Sequence, residues 1–201
     1  MSGRLGRVSA QLSASSPAQC VPCAAPPMPS SDEIKNQMAR CIEVAKAAGE
    51  RGDGPYGCTL VDAAGNVLFE AGNTENSEMD PTGHAETNLV RDVMQAGKFD
   101  LLATSTMFAS TEPCTMCCTV IYRSGCPRIV YAMKGGGKYG KPATPAGPMQ
   151  RAGLSLGSIH DTMATGNKHT AEVIYAGEEI EEMARANARN YEPLSYPDRV
   201  L

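Results

Sequence analysis

His84, Cys114 and Cys117 are side chains of the types that bind zinc, and Glu86 places a carboxylate two positions after the first of them. A catalytic zinc site takes three protein ligands and leaves its fourth position to water, whereas a structural site is closed by four. No fourth ligand stands beside Pro113-Cys114-Thr115-Met116-Cys117, so the set reads as the open kind. Two thiolates and a neutral imidazole bring a Zn²⁺ to a formal charge near zero. The ion still lowers the pKa of a bound water from about 15.7 towards about 7. Glu86 is not needed as a ligand and is placed to move that water's proton. A purely structural zinc site has no use for that carboxylate.

Helix starts should position these groups. Ser30 and Glu33 have capping-box spacing, and Ile34, Met38, Cys41, Ile42 and Ala45 recur on one face of a helix that Gly49 stops. Residues 57–61 and 67–71 read as strands joined by the turn chemistry of residues 62–66. Asp80 is the expected cap of a second helix, with Pro81 at its first position, Leu89, Val93 and Ala96 as its buried stripe and Gly97 at its end. His84 and Glu86 then lie in its opening turns. Side chains lean towards a helix N-terminus, so both can reach a site beyond that end. A strand over 106–110 leads into a third helix from about Cys114 to Ser124. There Cys114 and Cys117, at i and i+3, share a face. The partial positive charge of a helix N-terminus favours thiolate. Strands over 128–133 and 171–176 and a last helix over 178–190, with Glu181 able to pair with Arg185, complete the series. The order predicts an α/β fold, a three-layer α/β/α sandwich around a mixed five-stranded sheet.

Composition bounds the rest. At 201 residues and 42% hydrophobic content, the chain supports one compact domain plus a tail. It lacks the run of about 18 apolar residues that a membrane span needs. The eight cysteines do not suggest a secreted disulfide framework. Cys41, Cys58, Cys118 and Cys126 fit small buried positions, and a reducing compartment is expected. Residues 1–30 hold Arg4 and Arg7, many serines and prolines and no acid. They read as a disordered tail or a transit peptide, so the location expected is the cytoplasm or, with a transit peptide, a plastid or mitochondrion. Residues 31–192 form the expected domain and 193–201 a C-terminal tail. Net charge is −4, yet no acid occurs between Glu112 and Asp161, an interval holding Arg123, Arg128, Lys134, Lys138, Lys141 and Arg151. Global acidity argues against broad nucleic-acid coating, while this segment permits a local phosphate contact. Gly135 to Lys141 nearly spells a phosphate-binding loop, but Pro142 replaces the Ser or Thr that would hold Mg²⁺.

The pattern H-x-E…P-C-x-x-C matches the known signature of zinc-dependent base deaminases. Over about residues 32–192 the chain resembles the cytidine deaminase-like superfamily, within it the zinc-binding deoxycytidylate, guanine and tRNA-adenosine deaminase branch. The likeness is densest in Asp80-Pro81-Thr82-Gly83-His84-Ala85-Glu86 and Thr111-Glu112-Pro113-Cys114-Thr115-Met116-Cys117, and Glu86 and Pro113 are 27 positions apart, an ordinary spacing there. The resemblance implies the sandwich fold and one zinc per chain on His84, Cys114 and Cys117. It implies Glu86 as the catalytic proton carrier, backbone around Ala85, Pro113 and Cys114 against the substrate, and a homodimer. Asn73 lies 11 positions before His84, the offset of a base-contacting Asn in that branch. An amide can pair bidentately with a base edge, although Gly72-Asn73 also suits a turn. Gly54-Pro55-Tyr56-Gly57 resembles a guanine-deaminase segment whose aromatic can stack on a base. Ser158-Ile159-His160-Asp161 and Asn167-Lys168-His169 resemble tRNA-adenosine deaminases instead. The expected partner is therefore a small nucleobase or nucleoside, a purine slightly favoured. Nucleic acid as tRNA is the less favoured alternative, and a non-catalytic zinc-stabilised subunit is a third.

Overall fold

The computed structural model describes residues 25–134 and 171–191. A five-stranded sheet runs in the order β2-β1-β3-β4-β5, from Val67–Gly72, Gly57–Val61, Thr106–Thr111, Arg128–Met133 and Glu172–Tyr175. β1 is antiparallel to both β2 and β3, while β3, β4 and β5 are mutually parallel, so the sheet is mixed. β1 is buried along its whole length, and β3 and β4 nearly so, as strands covered on both faces must be. Helix α1 (Ser31–Glu50) and helix α5 (Glu178–Ala188) cover one face. Helices α2 (Ala85–Gln95) and α4 (Thr115–Ser124), with the short α3 (Asp100–Thr104), cover the other. The expected three-layer sandwich is the observed one. Among the described residues no helix is long and apolar enough to cross a membrane.

Local chemistry explains most boundaries. Ser30 caps α1 with the expected box: Ser30 Oγ accepts from the Glu33 N–H at 3.3 Å and Glu33 Oε2 accepts from the Ser30 N–H at 2.7 Å. Asp62 Oδ1 takes the N–H groups of Ala64 and Asn66 and closes the β1–β2 hairpin. Gly57 lies where α1 crosses β1. A Cβ there would stand 2.5 Å from both Ala45 N and Cys41 O, so only glycine allows this approach.

Two expectations are corrected. Asp80 does not cap α2: its Oδ1 accepts from the N–H and Oγ1 of Thr82, making a local turn that ends at His84. A short acidic side chain satisfied two residues on favours a turn over a helix start. The helix begins four residues later than Pro81 suggests, and its C-cap residue Ala96 is exposed rather than part of the stripe. The helix α3 was not foreseen. The loop over 135–141, His160 and His169 lie outside the described residues.

The tail boundary is also earlier than residue 30. Pro26 is buried, and the carbonyls of Pro26 and Pro27 each accept from Arg128 Nη1 at 2.8 Å. Arg128 is itself buried and donates through Nε to Glu172 Oε2 at 2.7 Å. A buried guanidinium stripped of acceptors is expensive, at about 1.5–3 kcal/mol per charged hydrogen bond. Losing the Ser30 cap adds about 0.5–2 kcal/mol. Removal of residues 1–24 is expected to leave the unfolding midpoint in urea unchanged, and removal of 1–30 to lower it clearly. Equal midpoints for the two truncations would show that the Pro26–Pro27 contact contributes nothing.

Candidate metal centre and active site

The centre sits where two helices begin. His84 is the N-cap residue of α2 and Cys114 that of α4, both with extended backbone. Cys114 therefore stands just outside the helix rather than in its first turn, and Cys117 lies inside it. His84 Nδ1 is 3.4 Å from Cys114 Sγ and 3.5 Å from Cys117 Sγ, and the two sulfurs are 3.5 Å apart. A tetrahedral Zn²⁺ with ordinary Zn–S and Zn–N bonds needs S···S edges of about 3.8 Å and S···N edges of about 3.6 Å. The three donor atoms thus match one face of that tetrahedron to within a few tenths of an ångström. Cys118, next in sequence, turns away and donates to the Pro113 carbonyl at 3.4 Å.

Glu86 is 4% exposed, in the first turn of α2, with Oε2 3.4 Å from Cys117 Sγ. Burial raises its pKa above the ordinary carboxylate value, and its own backbone N–H and the nearby His84 offset part of this. A carboxyl shifted upwards is better matched to proton transfer near neutrality than an exposed one. Ala85 and Pro113 are buried beside these groups.

Without a metal the donors share protons unequally. The hydrogen bond shared with Cys117, aided by His84, holds the Cys114 thiol down at about 4. The same bond pushes Cys117 upwards, with burial adding to it. The hydrogen bond with Cys114, and then the Glu75 carboxylate nearby, raise His84 to about 10. Zinc takes neutral imidazole and thiolate. At pH 7 the metal-free protein holds His84 and Cys117 protonated and Cys114 ionised, so zinc uptake is expected to release about two protons. Apparent affinity then rises with pH between about 4 and about 10, by about two decades per unit near neutrality. Calorimetry in buffers of different ionisation enthalpy measures this number. A value near zero would contradict the thiol–imidazole arrangement.

Asn73 and Tyr56 are the other residues expected at the site. Asn73 is fully buried. Its Oδ1 accepts from the N–H groups of Gly54 (3.2 Å) and Glu75 (3.0 Å), and its Nδ2 donates to Glu75 Oε2 at 2.7 Å. The carbonyl's two lone pairs are engaged and one amide proton is given to Glu75, so the amide does not offer the bidentate edge that the sequence suggested. Tyr56 is partly buried and packs against both core clusters, and the Asn73 N–H donates to the Tyr56 carbonyl at 3.0 Å. Of the basic residues that permit a phosphate contact, Arg123 is exposed, Arg128 is committed to the core and Lys134 lies 4.2 Å over the Tyr175 ring. Lys138, Lys141 and Arg151 lie outside the described residues.

Sequence reasoning missed three residues here. Asn88 Nδ2 donates to Gly72 O, Thr74 Oγ1 and Gly83 O, tying the β2 exit and the approach to His84 onto α2. Asp53 accepts from the N–H groups of Asn76 and Ser77. Glu75 Oε2 lies 3.7 Å from His84 Nε2. The loop positions of Asp53 and Glu75 carry no periodic signal, and Asn88 looks like any polar helix residue until its partners fold around it.

Comparison with known proteins places this arrangement. The chain is 35% identical over 96 residues to a probable cytosine deaminase of Schizosaccharomyces pombe, covering 48% of this chain and 57% of that protein. It is 36% identical over 100 residues to a tRNA-specific adenosine deaminase of Haemophilus influenzae, covering 49% and 58%. The chain thus spans less than two thirds of the length of these curated relatives. It is similar, with a TM-score of 0.55 and 25% identity, to a solved structure from work on A-to-I editing by tRNA:A34 deaminases, covering 71% of this chain and 98% of that one. A guanine deaminase from Nitrosomonas europaea shares the fold, with a TM-score of 0.60 at 19% identity over 92% of this chain and 98% of that one. The model of the cytidine and deoxycytidylate deaminase zinc-binding region matches residues 31–133, just over half of the chain and the whole of the centre from Tyr56 to Cys117, and the chain belongs to that family.

Proposed function

We propose that this chain is a zinc-dependent hydrolytic deaminase of a free nucleobase or nucleoside, a purine being slightly favoured, and that it releases ammonia. The observation that carries this reading is Glu86: a buried carboxyl in the first turn of α2, against Cys117 but outside the donor set. Family membership and the two deaminase relatives support it. His84, Cys114 and Cys117 would hold the zinc, which supplies an activated water at neutral pH. Glu86 would take one proton from the attacking water and deliver it to the ring nitrogen, then take the second from the hydroxyl left on the attacked carbon and pass it to the amine, which departs as ammonia. Its raised pKa suits a group that must both accept and release that proton. Asn73 offers one N–H to a base acceptor. Tyr56 provides an aromatic face on which a flat base can stack, an interaction worth roughly 1–3 kcal/mol. Backbone around buried Ala85 and Pro113 would lie against the substrate.

A second reading, an editing deaminase acting on tRNA adenosine, is favoured by the 36% identity to a tRNA-specific enzyme. The commitment of Arg128 to the core weakens it, because one of the cations available to a polyanion is already engaged. Ammonia release by the zinc-loaded protein across guanine, guanosine, adenine, adenosine, cytosine, cytidine, dCMP and tRNA separates the two. Turnover of a free base or nucleoside well above tRNA is the expected result. Activity confined to tRNA, with a steep dependence on salt, would replace the first reading by the second.

A further inference from the structure

Glu75 touches both halves of the site. One carboxylate oxygen, Oε2, accepts from Asn73 Nδ2 at 2.7 Å and stands 3.7 Å from His84 Nε2. The Glu75 backbone N–H also donates to Asn73 Oδ1 at 3.0 Å. His84 meanwhile turns its other nitrogen, Nδ1, to the two thiols. We propose that Glu75 is a positioning residue, whose carboxylate sets the ring orientation of His84 and holds the Asn73 amide so that it presents a single N–H to the substrate.

The two effects have one physical basis. An imidazole that gives the Nδ1 lone pair to a metal carries its proton on Nε2, and a carboxylate on that side fixes both tautomer and ring rotation. At 3.7 Å the contact is longer than a hydrogen bond, and shortening it by about half an ångström would make one. On the other side, two backbone N–H groups aim at Asn73 Oδ1, so the amide cannot flip without losing both. Glu75 takes one Nδ2 proton, and the other is the only polar group Asn73 has left for a ligand. The favoured substrate therefore presents a hydrogen-bond acceptor, a ring nitrogen or carbonyl oxygen, to Asn73. This last step rests on the proposed deaminase reading; the effect on His84 does not.

Glu75 is not required to hold its loop. Asp53 anchors Asn76 and Ser77, and Asn88 anchors Gly72, Thr74 and Gly83. Loss of the carboxylate should therefore be felt at the site more than in the fold.

The test uses full-length protein with Glu75→Ala and Glu75→Gln. Zinc affinity is read by competition with a chelator at pH 7, and the thermal midpoint is read on metal-free protein. Glu75→Ala is expected to weaken zinc by about 10–100-fold, the usual effect of removing an outer-shell partner of a ligating His. Its metal-free midpoint should stay close to that of the wild type. Glu75→Gln keeps an acceptor oxygen for both donors and should recover most of the affinity. At saturating zinc, Glu75→Ala should raise KM for the best substrate about tenfold with a smaller change in kcat. Unchanged zinc affinity in Glu75→Ala overturns the proposal. So does a Glu75→Gln variant as weak as Glu75→Ala, which would make the effect one of charge alone. A Glu75→Ala protein that fails to fold overturns it too, by making the residue structural. A wild type that deaminates nothing while the zinc results hold would sink the functional reading and leave the positioning of His84 standing.

Discussion

Replacing Glu86 by Ala is expected to lower turnover by about 10²–10⁴-fold, the usual value of one positioned acid–base group. In the proposed mechanism one carboxyl would serve several proton transfers, so the loss should fall at the upper end of that range. Zinc content should stay at one per chain, because Glu86 is outside the donor set. The variant should also fold, since removing a buried carboxyl whose charged form is disfavoured relieves a desolvation cost. Metal analysis and single-turnover kinetics on the same preparation separate these outcomes. Turnover within about threefold of the wild type would exclude Glu86 as the proton carrier.

Cys117→Ala should remove the zinc, and Cys118→Ala should leave it in place. Both thiols are buried, so burial does not distinguish them. Direction does: Cys117 Sγ points at Cys114 and His84, and Cys118 Sγ points at the Pro113 carbonyl. Loss of one of three protein ligands leaves an incomplete donor set, and zinc is expected to fall from about one equivalent to almost none after dialysis against a chelator. Cys118→Ala gives up one weak S–H donor and a small buried side chain, for a stability loss of about 1 kcal/mol. A Cys117→Ala protein with normal zinc content would show that the donor set has been misassigned.

The order of secondary structure was legible because its signals are local. The Ser30–Glu33 box, the Asp62 turn and the near-continuous apolar run of β4 each depend on residues a few positions apart. The start of α2 was misread for the same reason. Asp80 followed by Pro81 is a good helix opening by local rules, but the Asp80–Thr82 turn satisfies the carboxylate first. The end of the tail was misread because Arg128 lies 102 positions from Pro26, and nothing near Pro26 in sequence reveals that contact.

The sequence by itself determined the chemistry available at the centre: which side chains can bind a soft divalent metal, and which carboxylate stands beside them outside the donor set. Residue type and spacing suffice for that, since a His or Cys donor keeps its chemistry wherever it stands. Tertiary structure decided the geometry, through contacts between segments far apart in the chain. Packing α2 against α4 brings Nδ1 of His84, rather than Nε2, to the sulfurs, and buries Glu86 enough to raise its pKa. The same packing engages the carbonyl of Asn73 with Gly54 and Glu75, and so removes the two-pronged amide edge that the sequence offered. A side chain's inventory of donors and acceptors is written in its formula, but which of them remain for a ligand depends on what the fold has already paired.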